Sequence, residues 1–165
     1  MTENIEIRLP SNGKLKLISR KGSPIKKAVI EEFLPRFAKG ATLLNVRDTI
    51  KKAAYVDDEQ LRDLNFSMDY YDELPDIIAY DKSKNWIYLI EAVHSAGPMT
   101  EMRVFELKKM LKKCKAKLIF ITAFISSTEF RKWILDIAWE TEVWTADNPE
   151  HMVHFNGDKF FGPYK

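Results

Sequence analysis

Over the first twenty residues apolar positions alternate with polar ones: Ile5, Ile7 and Leu9, then Leu15 and Leu17, with Pro10-Ser11-Asn12-Gly13 between the runs. A period of two broken by a turn-rich spacer predicts a β-hairpin over residues 1–20. The period then changes. After Ser23-Pro24, a cap followed by a proline suited to the first helical position, Ile25, Val29, Ile30, Phe33 and Phe37 fall on one arc of a helical wheel. A helix is expected to about residue 37, ended by Gly40, with Glu32 at the edge of the arc and Glu31 pointing away. Residues 42–46 read as a strand running into Arg47-Asp48-Thr49 and the Lys51-Lys52 pair, whereas the acidic segment 57–73 matches neither period.

Two apolar runs, 76–80 and 86–93, flank the turn-forming Asp81-Lys82-Ser83-Lys84-Asn85 and predict a central hairpin. Gly97-Pro98 breaks the chain before a basic helix to about residue 115, and an all-apolar strand follows at 118–124. Ser126-Ser127-Thr128 caps a helix through about Trp139, residues 143–146 read as a strand, and Asn156-Gly157 marks a closing hairpin between 152–155 and 158–161. This order makes the fold class α/β: a mixed central sheet flanked by helices, with additional hairpins at both ends. One domain is expected over 1–165, with its core at 23–146 and the hairpins at 1–20 and 151–165.

Composition narrows the function classes. With 45% hydrophobic and 30% charged residues among 165, the chain is neither disordered nor fibrous in character. No apolar run approaches bilayer length, and Met1-Thr2-Glu3-Asn4 has neither a basic start nor an apolar signal region, so membrane and secretory roles are excluded. The single Cys114 rules out an internal disulfide framework and a cysteine zinc cage, which suits a reducing cytoplasm. Net charge is only +2, but residues 56–91 hold 10 acidic against 3 basic side chains, whereas 1–55 hold 12 basic against 5 acidic and 92–118 hold 7 against 2. An acidic band between basic ones suits phosphate held around a carboxylate-lined metal site, and equally suits solvated helix faces beside an acidic loop.

The central hairpin carries the candidate chemistry. Asp76 begins its first arm and Glu91 lies near the end of its second, both in apolar β surroundings. Such carboxylates are costly to bury unless paired, hydrogen-bonded or bound to metal. Antiparallel pairing can bring them together as oxygen ligands for Mg²⁺, or leave a strand-mouth Asp and a Glu bridged to a helix.

Pro75-Asp76, followed after 14 residues by Glu91-x-Val93 in this element order, resembles the metal-dependent PD-(D/E)XK nuclease core. Longer blocks are similar to the C-terminal catalytic domain of the BsuBI/PstI family of type II restriction endonucleases: Leu74-Pro75-Asp76, Leu89-Ile90-Glu91-Ala92-Val93, Ile121-Thr122-Ala123-Phe124, Ala138-Trp139-Glu140-Thr141-Glu142-Val143-Trp144 and His154-Phe155-Asn156-Gly157-Asp158. The resemblance runs from about residue 20 to the C-terminus. It implies a restriction-endonuclease-like core and Mg²⁺-dependent hydrolysis of double-stranded DNA, with CTGCAG the site associated with named members. Asp76 and Glu91 are then the metal ligands, and cutting both strands of a palindrome calls for a homodimer. Family members carry a further N-terminal region implicated in DNA recognition, absent from this chain.

The chain departs from the superfamily pattern at Val93, where a lysine is expected two residues after the Glu. Two replacements offer themselves. Arg103 lies within the apolar arc of the basic helix, where it can steady transition-state charge or bridge Glu106. Lys52, in the loop after Asp48, is the second, although Arg47 in that loop stands where the family tends to carry glycine. Glu32 fits a supplementary helix-borne acid, or a plain surface residue. His94, next to the motif strand, could touch phosphate; His151 and His154 read as structural. Lysines 108, 109, 112, 113, 115 and 117 form a basic surface for DNA backbone or for solubility, and the four tryptophans read as core. The competing function is a binding module that keeps the nuclease fold without catalysis.

Overall fold

The computed structural model describes residues 4–19, 22–48, 53–94, 96–157 and 162–163. β1 (Asn4–Arg8) and β2 (Lys14–Ile18) form the opening hairpin, with Ile5 opposite Leu17 and Ile7 opposite Leu15. Its buried side packs Ile7 and Leu17 on the helical stretch that follows. That stretch is α1 (Ser23–Ala28), a π-helical turn Val29–Phe33, and α2 (Leu34–Phe37). Gly22, not Ser23, is the N-cap; the Ser23 hydroxyl instead donates to the Ile18 carbonyl at 2.7 Å and ties the helix start to β2.

Seven strands make the main sheet: β3 (Thr42–Val46), β4 (Tyr55–Val56), β5 (Ile77–Asp81), β6 (Trp86–Ala92), β7 (Lys117–Phe124), β8 (Thr141–Thr145) and β9 (Val153–Phe155), in the order β4-β3-β5-β6-β7-β8-β9. Neighbours β6, β7 and β8 run parallel, and the other pairs are antiparallel. Parallel pairing needs crossovers, and these contain α4 (Glu101–Met110) and α5 (Ser127–Trp133). Period-two alternation gives the sheet two buried faces. Ile77, Ala79, Tyr88, Ile90 and Ile121 pack with the N-terminal helix; Ile78, Ile87, Leu89 and Phe120 pack with Leu107 and Leu111.

Several elements differ from expectation. The acidic segment holds α3 (Asp58–Asp63), whose N-cap Asp57 accepts from the Gln60 amide at 3.1 Å, and a 3-10 turn at Met68–Glu73. Leu61 and Phe66 bury against the sheet, a tertiary contact that short-range periodicity does not register. The basic helix ends at Met110, and α5 is followed by a short 3-10 turn, Ile134–Asp136. β9 pairs with β8 as an edge strand of the main sheet; the other arm expected at 158–161 lies outside the described residues. Trp144 is fully buried, edge-on to Phe33, but Trp86 and Trp139 are exposed, which corrects their assignment to the core.

Candidate active site

The central hairpin pairs Ile77 with Ile90 and Ile78 with Leu89. Continuing this register by one residue sets Asp76 opposite Glu91, both on the sheet face that α4 covers. The Asp76 side chain is pinned across the strand end, where Oδ2 accepts from the Ala92 amide at 2.9 Å. Both acids line an open cleft of about 670 Å³ with Arg47, Asp72, Glu73, Gly97, Thr100, Arg103 and Glu106. The sequence-predicted pair therefore meets.

Glu91 is buried. Removal from water, and then the negative charge of Asp76, push its carboxyl up to about 7, against the pull of Arg103. Arg103 donates from Nε at 3.1 Å and from Nη2 at 2.7 Å, both to Glu91 Oε1; neither bond goes to Oε2. α4 delivers this guanidinium because its start is fixed. The Met99 amide donates to Thr122 Oγ1 at 3.0 Å, and Thr100 caps the helix by accepting from the Arg103 amide at 3.1 Å. Arg103 pairs with Glu91, not with the Glu106 that its sequence spacing offered.

Lys26 is a buried charge near the acids that the sequence reading did not single out. It is 4% exposed on α1, and its Nζ donates to the Arg47 carbonyl at 2.8 Å. Burial draws its pKa down, opposed by Asp76 and Asp48 and, more weakly, Glu91. A lysine is rarely this buried without anionic company. Arg47 extends the connection: its amide donates to the Asp76 carbonyl at 2.8 Å and its Nη1 to the Leu74 carbonyl at 2.9 Å, bracketing Pro75. Lys26 thus steadies the loop that sets Asp76. The signal was present on the helical wheel, where Lys26 lies about 100° from Ile25, inside the apolar arc.

Glu32 does not line the cleft. The widened π-turn at Val29–Phe33 changes the angular phase on which its inward placement rested. Its neighbour Glu31 is the engaged acid: Oε1 accepts from the Arg8 amide at 2.9 Å, and Lys27 lies 3.9 Å from Oε2. Lys52 lies outside the described residues. Val93 is buried in a cluster with Phe124, Ile137 and Val143, beyond the end of β6, so this position faces oil rather than the acids. His151 and His154 bond Asn148 and Glu142, respectively, away from the cleft.

His94 packs against the start of α1. A Cβ added to Gly22 would fall 2.5 Å from its Cδ2, a distance that forces a shift. Gly22→Ala is therefore expected to lower stability by about 1–3 kcal/mol, and His94→Ala in the same chain to recover most of the loss. Denaturant unfolding of the two single variants and the double variant measures the coupling, and additive losses would disprove the contact.

The donor set suits a hard divalent cation: two carboxylates on neighbouring strands, with open cleft on one side for water or phosphate. Among the described residues no group of three or more His, Cys, Asp or Glu forms a closed cage.

A mixed sheet with these crossovers is the architecture of restriction endonucleases: the solved structure of SdaI restriction endonuclease matches with a TM-score of 0.89 at 36% identity, over 98% of this chain and 51% of that one. The model of the BsuBI/PstI restriction endonuclease domain matches residues 5–158, and the chain belongs to that family. Type II restriction enzyme BsuBI of Bacillus subtilis is 38% identical over 98% of this chain, and type II restriction enzyme AplI of Arthrospira platensis is 26% identical over 96%. The chain spans about half the length, 51%, of each of these relatives.

Proposed function

We propose that this chain is the nuclease domain of a type II restriction endonuclease, hydrolysing phosphodiester bonds of double-stranded DNA with Mg²⁺. The carrying observation is the cross-strand pair Asp76 and Glu91 beneath an open cleft. Asp76 and Glu91 would hold the ion, Arg103 pairs with Glu91 in the wall of the cleft, and Lys26 carries the buried positive charge that the nuclease pattern places two residues after the Glu. When bound, the metal offsets phosphate charge and acidifies water. The chain's own residues supply the geometry: the Ala92 amide orients Asp76, and Arg47 holds the backbone on both sides of Pro75.

No helix among the described residues is long and apolar enough to cross a membrane, and we place the activity in the cytoplasm, where DNA is available. The CTGCAG site, a homodimeric assembly, a single domain over 1–165 and DNA recognition by a further N-terminal region belong to the same reading. Exposed lysines 108, 109, 112, 113, 115 and 117 are assigned to DNA backbone.

Plasmid cleavage tests it: cutting requires divalent metal, stops with chelator and is absent in Asp76→Ala. Val93 and the occupied Glu91 favour the non-catalytic alternative. DNA binding by the native chain without metal-dependent cutting would decide for that alternative.

A further inference from the structure

We propose that Arg103 is a resident counter-ion of Glu91 that yields its place to the divalent cation and is thereby released toward phosphate. This rests on the metal-nuclease reading above.

The contact geometry carries the argument. Two N–H donors of one guanidinium occupy a single carboxylate oxygen, at 3.1 and 2.7 Å. The pair is sheltered, with 22% of the Arg103 and 10% of the Glu91 side chain exposed, so solvent dilutes it less than a surface bridge. A buried carboxylate facing a second acid needs positive charge, and before metal arrives Arg103 supplies it. A hard cation gripped by Asp76 and Glu91 could enter through Glu91 Oε2, which Arg103 does not touch, but would then stand beside a guanidinium held on the same carboxylate, where like charges repel. That repulsion is what moves the guanidinium off Oε1.

The wall of the cleft offers somewhere to go. Glu106, three residues along the same helix, lines the same cleft as Glu91 and Arg103. Spacing of three places it beside Arg103 on the helix surface, so the guanidinium can swing from one carboxylate toward the other without moving α4. That swing stays within the open cleft that Glu91, Arg103 and Glu106 share. The arginine thus holds a metal-free Glu91 in place and becomes a phosphate contact only once the ion is seated.

Calorimetric titration of Mn²⁺ alone into the full chain, at about pH 8.5 so that protons compete little, separates this proposal from the reading beneath it. Arg103→Gln is expected to bind Mn²⁺ about tenfold more tightly than the native chain, because a competing cation is gone, whereas Asp76→Asn loses binding. Loss in Asp76→Asn with unchanged or weaker binding in Arg103→Gln overturns the exchange and leaves the metal site standing. Native affinity in Asp76→Asn overturns the metal site itself, and the exchange with it. A second measurement uses only the native chain: phenylglyoxal labelling of Arg103, read by peptide mass against Arg36, should accelerate several-fold on adding Mn²⁺. Equal or slower labelling overturns the proposal.

Discussion

Replacing Glu91 with Gln is expected to cut DNA hydrolysis by at least about a thousandfold while making the folded chain more stable above pH 7. The two effects have one cause. Desolvation and the nearby Asp76 raise the Glu91 carboxyl from 4.5 to about 7, with Arg103 recovering part of the cost. The unfolded chain releases this proton near 4.5, so between 4.5 and 7 the folded state holds more protons than the unfolded one. Stability therefore falls as pH rises through that window and levels off above it. A neutral Gln escapes this penalty, which is already net of the pull of Arg103, for a gain on the order of 1–3 kcal/mol at pH 8 and none near pH 4. Unfolding curves from pH 4 to 9, run beside a plasmid assay, test both halves. Superimposable stability profiles for the two proteins would show that Glu91 is not strained, and retention of a tenth of native cutting would remove it from the metal site.

Val93→Lys, which restores the nuclease pattern on paper, is expected to destabilise the fold by about 2–4 kcal/mol and to add no activity. β6 ends at Ala92, and Val93 turns into an apolar cluster with Phe124, Ile137 and Val143, with Phe130 and Trp133 packed against it. An ammonium there must be buried among carbon atoms or drag its strand end outward. Lys26→Met is expected to lower cleavage about a hundredfold by removing charge beside Asp76 and loosening the Arg47 loop. Adding Val93→Lys to Lys26→Met should leave that deficit in place. Single-turnover rates of the three variants, with unfolding midpoints to exclude loss of fold, are the measurement. Recovery to within tenfold of native in the double variant would return the lysine role to position 93.

Local pattern in the sequence determined the opening hairpin, the N-terminal helix, the central hairpin and its two acids, because a period of two or 3.6 is written in neighbouring residues. A helical wheel placed Arg103 on the core side of α4, and the wheel of α1 likewise held Lys26 on its apolar arc, where its charge made it easy to pass over. Glu32, outside the cleft lining, sits in a π-turn that alters the residue count per turn, and apolar spacing does not announce such a turn. The rest needed the chain to be folded. That β9 completes the main sheet, that Val93 faces an apolar cluster, that the helix-borne Lys26 reaches the Arg47 carbonyl and that Arg103 chooses Glu91 over Glu106 are outcomes of elements meeting across long stretches of chain. Periodicity tells which side of an element is buried; only packing decides what that side is buried against, and the charges around the acid pair are matters of that second kind.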